Sequence, residues 1–260
     1  QNTKHVHTDS NPDYMDEKRN TQYGTLLTPP FDLPPHLRYN DAMTNIIAYF
    51  DMDRTVLSDS SGMLYMRYLW RRGEVNRRAM LRSYWYALLY KLGFFNYPAV
   101  AAKLASSLAD STEVETIAFC QRWFDEMAVH YVAPKAVQRI EEHRAQGHVV
   151  TIISASTPYV VAPLARHLGM EEYLCTRVEV VDGHFTGKII PPPCYGPGKI
   201  HYAQEFAAKH GGDLAQAYFY TDSHSDLPLL ELVGHPVAVN PDPRLKRVAQ
   251  KRGWPVEYFY

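Results

Sequence analysis

No apolar run in this chain reaches the roughly 20 residues that a membrane-spanning helix requires, and the first residues hold no signal-peptide apolar core. Neither a transmembrane segment nor an export signal is expected. Cysteine is scarce too: Cys120, Cys175 and Cys194 are odd in number and lack CxxC spacing, so neither a disulfide framework nor a zinc site is implied. A reducing, cytoplasmic setting is the resulting expectation. An excess of one charge sign is also missing, with 27 Lys and Arg against 28 Asp and Glu and a formal net charge of -1. Nothing global therefore points to nucleic acid or to a bulk acidic partner, and any electrostatic effect must be local. No internal repeat is visible. Gln1 stands where an initiating Met is expected, which reads as a trimmed or excised segment.

What the chain does have is 260 residues with 46% hydrophobic content, enough for one large core or two smaller ones. Residues 1–45 are polar and then proline-rich, with Pro29-Pro30 and Pro34-Pro35 bracketing Phe31-Asp32-Leu33; they read as a tail or linker without chemistry. Ile46–Phe50 is a short apolar run of the kind found in strands buried on both faces. Helical spacing then persists over Ser60–Arg72, Asn76–Leu92, Tyr97–Leu108 and Thr112–His130, an all-helical insertion between two strands. Its second helix carries Tyr84, Trp85, Tyr86, Tyr90, Phe94 and Phe95, with Arg67, Arg71, Arg72, Arg77, Arg78 and Arg82 nearby. That pattern predicts an aromatic bundle core with a solvated basic face. The alternative is a lid presenting a basic, aromatic surface to an anionic substrate or a membrane.

From Ala133 strands and helices alternate. Helices are predicted at Pro134–Gln146, Thr157–Leu168, Gly198–His210, Asp226–Leu232 and Arg244–Lys251. Strands are predicted at His148–Ile153, Ala217–Tyr220, Val237–Val239 and Val256–Tyr260, and Asp182-Gly183 predicts a hairpin between Tyr173–Val181 and His184–Ile189. The rhythm is that of an α/β fold with a mostly parallel, doubly wound sheet.

Polar residues gather where these strands end. The first run stops in Asp51-x-Asp53-x-Thr55, two carboxylates that would face the same side and repel without a cation or a shared proton. Mg²⁺ accepts one or two carboxylates plus phosphate oxygens, which points to phosphate chemistry. Asp51 would attack phosphorus, Asp53 would protonate the leaving oxygen and later deprotonate water, and Thr55 would hold Asp53 by a hydrogen bond. Ser154, with Ala155 and the N–H groups opening the next helix, can hold phosphate oxygens, while Ser156 or Thr157 caps that helix. Lys199 sits at a helix start, poorly placed for the helix dipole, and makes sense pointing inward to neutralise Asp51 and the phosphoryl group. Asp222 would complete the metal shell, and Asp226 would hold a metal-bound water or orient Lys199. His224 reads as a loop residue rather than a ligand.

The order Asp-x-Asp-x-Thr, Ser, Lys, Asp-x-x-x-Asp resembles the haloacid dehalogenase superfamily of phosphohydrolases over about Ile46 to Tyr260. The inserted helices, Ser154-Ala155-Ser156 and the Asp182-Gly183 hairpin are similar to the phosphoserine-phosphatase-like branch with a helical cap. The resemblance implies a Rossmann-like core at 46–57 and 133–260, a cap at 58–132 and an extension at 1–45. It also implies Asp51 as nucleophile, Asp53 as acid/base, Ser154 and Lys199 on the phosphate, and Asp51, Asp53 and Asp222 on Mg²⁺. Departures are equally legible. Ser60 stands where phosphoserine phosphatases carry a Glu for the substrate ammonium, and Thr221-Asp222-Ser223-His224-Ser225-Asp226 replaces their Gly-Asp-Gly-x-Asn-Asp. Phosphoserine is therefore not the favoured substrate, and histidinol phosphate is one candidate. The expected partner is a small phosphorylated metabolite, without nucleic acid. Alternatives are phosphotransfer to an acceptor other than water, or a weakly catalytic module docking on anions or membranes through the basic aromatic helices.

Overall fold

The structure is a computed structural model that describes residues 45–92, 100–101, 105–106, 108–109 and 111–260. The proline-rich segment up to residue 44, Phe94 and Phe95 of the expected aromatic set and most of the expected Tyr97–Leu108 helix lie outside the described residues. Among the described residues no helix is long and apolar enough to cross a membrane.

Strand β1, Ile47–Phe50, is wholly inaccessible to solvent at all four positions, as a strand covered on both faces must be. Its alternation divides the molecule. Ala48 and Phe50 join Ile140, Ile152, Val161, Leu164 and Tyr220 in one core, while Ile47 and Tyr49 join Ile153, Tyr202, Phe206, Phe219 and Leu245 in another. Six strands form one parallel sheet, with β2 at Val149–Ser154, β3 at Tyr173–Cys175, β6 at Tyr218–Thr221, β7 at His235–Val239 and β8 at Val256–Glu257. Their order is β3-β2-β1-β6-β7-β8, so the winding reverses between β1 and β6. In doubly wound sheets that reversal opens the ligand crevice beyond the strand ends.

Helices α4 (Pro134–Ala145) and α5 (Pro158–His167) cover the Phe50 face; α6 (Gly198–Lys209), α7 (Leu227–Leu230) and α8 (Pro243–Arg252) cover the Tyr49 face. Before them in the chain come α1 (Ser61–Arg71), α2 (Arg77–Leu92) and α3 (Glu113–Glu126), all between β1 and β2. The chain leaves and re-enters this helical stretch at one place. Leu57 forms an antiparallel bridge with Val132, Ser58 N–H donates to the Tyr131 carbonyl (2.7 Å), and Ala133 N–H donates to the Val56 carbonyl (2.9 Å).

Several elements differ from the sequence reading. The expected Tyr173–Val181 strand divides at Thr176: β3 stays in the parallel sheet, and β4 (Val178–Val181) turns away to pair with β5 (His184–Ile189) as the hairpin about Asp182-Gly183. Thr176 is tied instead to its surroundings, its N–H donating to Ser156 and its hydroxyl accepting from Cys194 N–H. The Thr112–His130 helix stops at Glu126, where Met127 leaves helical geometry (φ -138°, ψ -60°), and a 3₁₀ turn follows. Asp226–Leu232 becomes a 3₁₀ turn and the single-turn α7, and the last strand ends at Glu257. The aromatic core expected on the second helix is not formed by Tyr84, Trp85 and Tyr86, which are 36–58% exposed. Tyr65 and Tyr68 of α1 pack on Phe119 of α3 in their place, at ring separations of 5.5 and 5.7 Å.

Candidate active site

Burial of a whole strand is what brings Asp51 to the crevice with its backbone already fixed. Asp51 N–H donates to the Tyr220 carbonyl (2.8 Å), continuing the ladder from β1 to β6 past the end of β1. Asp222, directly after β6, therefore lies beside it, and both carboxylates are buried. Lys199, 2% exposed, comes up from the start of α6 and donates to Asp51 Oδ1 (2.6 Å) and Asp226 Oδ2 (2.7 Å). The Thr221 hydroxyl donates to the same Asp226 oxygen at 2.7 Å. Burial opposes the ammonium charge, but Asp226 and Asp51 outweigh it and keep Lys199 protonated above its ordinary range. A lysine misplaced for its helix dipole is thus placed for two acids.

The residue before it makes the approach feasible. A side chain at Gly198 would put its Cβ 2.0 Å from the Pro193 carbonyl oxygen, so only glycine lets this loop pass the helix start. Gly198→Ala is expected to displace Lys199 and to cost about 3 kcal/mol by overpacking. Urea denaturation checks it: a loss below about 0.5 kcal/mol would show that the loop yields freely.

Asp53 is held from α1. Ser61 donates to it through its backbone N–H (2.7 Å, Oδ1) and its hydroxyl (3.2 Å, Oδ2). Ser61 Oγ lies 3.2 Å from Ser156 Oγ, and Ser156 N–H donates to Ser154 Oγ (3.2 Å) at the end of β2. Ala155 occupies the bend between these serines. The expected Thr55–Asp53 hydrogen bond is not formed: Thr55 is fully buried and its Oγ1 has no partner among the described residues. Ser61 was not among the sequence candidates, and Ser156 was read only as a possible cap of the next helix. Their only signal was position, Ser61 opening the first helix after the acid pair.

The three carboxylates at the crevice are under-neutralised. Burial, with the charges of Asp226 and Asp53, pushes Asp51 up to about 7 against the pull of Lys199. Burial also raises Asp53, partly offset by the Ser61 bonds, and burial followed by the Asp51 charge raises Asp222 well above the carboxylate range. No hydrogen bond from the described residues reaches the Asp222 carboxylate. Hard carboxylate oxygens whose ionisation burial opposes, more than the nearby Arg54 and Lys199 charges offset, fit a divalent cation such as Mg²⁺. Among the described residues no three His, Cys, Asp or Glu side chains already converge on one point as a finished metal cage.

Those shifts carry a testable sign. A carboxylate raised on folding binds its proton more tightly in the folded chain, so its contribution to stability falls as pH rises above the unfolded value near 4. Asp222→Asn removes that penalty while keeping the shape. In EDTA the variant should melt at a higher temperature than the wild type at pH 8, with the advantage shrinking toward pH 5. His143, pushed down to about 4 by burial and the neighbouring His148, favours stability at higher pH, but equally in both proteins. An advantage that grew toward pH 5 in calorimetric melts would contradict the reading.

Comparison with known proteins settles the lineage. Residues 48–231 match the profile of the haloacid dehalogenase-like hydrolases, more than half of the chain. The chain belongs to that family. Among haloacid dehalogenase relatives, it is similar to a phosphoserine phosphatase of Mycobacterium tuberculosis, 35% identical over 217 residues spanning 82% of this chain and 70% of that one. It is also similar to a histidinol-phosphatase of Neisseria meningitidis, 30% identical over 218 residues, 82% of this chain and 98% of the relative. A protein of unknown function from Bordetella pertussis has the same fold, with a TM-score of 0.74, 31% identity, and coverage of 84% of this chain and all of that one. Family and relatives together make this haloacid dehalogenase-like chain a phosphatase.

Proposed function

We propose that the chain hydrolyses the phosphomonoester of a small metabolite, with Mg²⁺, through an aspartyl-phosphate on Asp51. The carrying observation is the buried Lys199 bridge, which ties Asp51 Oδ1 at 2.6 Å and leaves Oδ2 without a hydrogen bond from the described residues. That oxygen attacks phosphorus, and the P–O bond to the leaving group breaks. Lys199 neutralises the phosphoryl oxygens as charge moves onto them. Asp53, raised by burial and oriented by Ser61, delivers its proton to the leaving oxygen and then takes one from the water that cleaves the acyl phosphate. Ser154 and the N–H of Ala155 hold phosphate oxygens at the end of β2. Asp51, Asp222 and the backbone carbonyl of Asp53 would hold the cation, which would supply charge compensation between carboxylates and phosphate.

The helical segment 58–132 serves as a cap on the core formed by 46–57 and 133–260, with 1–45 an extension. The paired crossing at Leu57–Val132 and Ser58–Tyr131 supports this division. The relatives make histidinol phosphate and phosphoserine the substrates to try first. Phosphoserine is the less favoured: Ser60 offers no carboxylate, and neighbouring Asp59 is committed to Arg67 (2.8 Å) and to Ser60 N–H. A phosphate-release screen of phosphorylated metabolites, run with Mg²⁺ and with EDTA, tests the proposal. Hydrolysis that is indifferent to EDTA, or absent for every phosphomonoester, would overturn it.

A further inference from the structure

The loop after β7 touches both acid-bearing loops, although neither its sequence nor the reaction just described marks it out. Asn240 donates through Nδ2 to the carbonyl of Arg54, the residue between Asp53 and Thr55, at 3.4 Å. Arg54 holds a positive φ of 56°, a conformation disfavoured for a side chain of its size, and its carbonyl also accepts from the Tyr260 hydroxyl at 3.1 Å. Two donors from 186 and 206 residues away thus meet on one strained peptide. Two residues on, Asp242 N–H donates to the Asp222 carbonyl (2.8 Å), and Asp242 Oδ2 accepts from His224 N–H (2.7 Å). The same Asp242 caps α8 through its other oxygen, accepting from Arg244 N–H (2.8 Å) and Leu245 N–H (2.9 Å). Asn240 is anchored in turn, its N–H donating to Glu257 (2.9 Å) and its Oδ1 accepting from Phe259 N–H (3.1 Å).

We infer that Asn240 and Asp242 are positioning residues that set the separation between the Asp51–Asp53 loop and the Asp222 loop, and so the geometry in which those acids take a divalent cation. The inference rests on the function proposed above. Both residues lie outside the reacting groups: they touch backbone atoms of the acid-bearing loops, not the carboxylates. The carboxylates on the two loops repel one another, so a spacing fixed by hydrogen bonds rather than by the ion itself is preorganised for binding. Residues that orient metal ligands in this indirect way typically contribute about 10–100-fold to affinity.

Asp242→Asn separates the two duties of that side chain, because asparagine is an equally good N-cap but turns an amide toward His224 N–H in place of an acceptor. Asn240→Gly keeps the positive φ of 41° available while removing the amide. Mg²⁺ binding by titration calorimetry, thermal melting in EDTA and hydrolysis of p-nitrophenyl phosphate are then measured on both variants and the wild type. The expected result is about tenfold weaker Mg²⁺ binding in each variant, a matching rise in the Mg²⁺ concentration for half-maximal rate, and a kcat at saturating Mg²⁺ within a few-fold of wild type. Melting in EDTA should move by no more than a few degrees. Wild-type Mg²⁺ affinity retained in both variants would overturn the inference while leaving the proposed function intact. A wild type that neither binds Mg²⁺ nor hydrolyses the ester would instead defeat that function, and this inference with it.

Discussion

Asp51→Asn is expected to lower phosphate release by about 1000-fold or more while the protein stays folded. The magnitude follows from the proposed mechanism, in which the variant loses the attacking atom, and positioning and charge compensation by the remaining groups cannot replace it. The folding expectation comes from the local ledger of charge. Asp51 is a buried acid held up near 7, and Lys199 keeps its second partner, Asp226, at 2.7 Å when Asp51 is neutral. Steady-state hydrolysis with Mg²⁺, paired with a circular-dichroism melt, separates the two outcomes. A variant within tenfold of wild type would remove Asp51 as the nucleophile.

Lys199→Met should affect stability and rate together. Among the described residues this side chain is the one buried cation that bonds two of the crevice acids, and its loss leaves the Asp51 and Asp226 charges without that compensation. Breaking a buried ion pair from one side typically costs about 3–5 kcal/mol. The rate should fall by about 100-fold or more even under conditions where the variant is folded, since in the proposed mechanism the amine also meets the transferring phosphoryl group. Adding Asp226→Asn in the same chain removes one of the stranded charges. Stability should then recover in part while activity does not, and recovery of both would show that Lys199 acts only as a structural counter-charge.

The parts of this architecture that could be read in the sequence are those in which one residue type does one job. Ile47–Phe50 and Tyr218–Tyr220 are apolar or aromatic just ahead of the acids that follow them, because both sheet faces are covered. Asp182-Gly183 could be read because positive φ at both residues (51° and 76°) suits few others. Lys199 could be read from its poor fit to a helix start. What stayed hidden depends on partners distant in sequence. Ser61 and Ser156 lie 95 residues apart and look like ordinary helix-start serines until their hydroxyls come within 3.2 Å. Thr55 fitted the Asp53 hydrogen bond by spacing alone, yet its buried hydroxyl makes no hydrogen bond among the described residues. The division at Thr176 is invisible because β-propensity runs on through the residues where the chain changes sheets. Tyr84, Trp85 and Tyr86 followed a helical apolar pattern without being covered, which periodicity cannot foretell.

The alternation in β1, which sends Ile47 and Tyr49 to one layer and Ala48 and Phe50 to the other, makes length an inherited quantity in its own right. Gaining or losing a single residue there would exchange the contents of the two layers, pulling the Tyr49 phenol from the Ala203 carbonyl (2.8 Å) and Phe50 from its stack on Tyr220 (4.5 Å). It would also carry the acid pair half a pleat out of step with Asp222. Substitutions along that four-residue span are tolerable in proportion to their volume, whereas an insertion disrupts hydrophobic interior and reaction centre in one stroke.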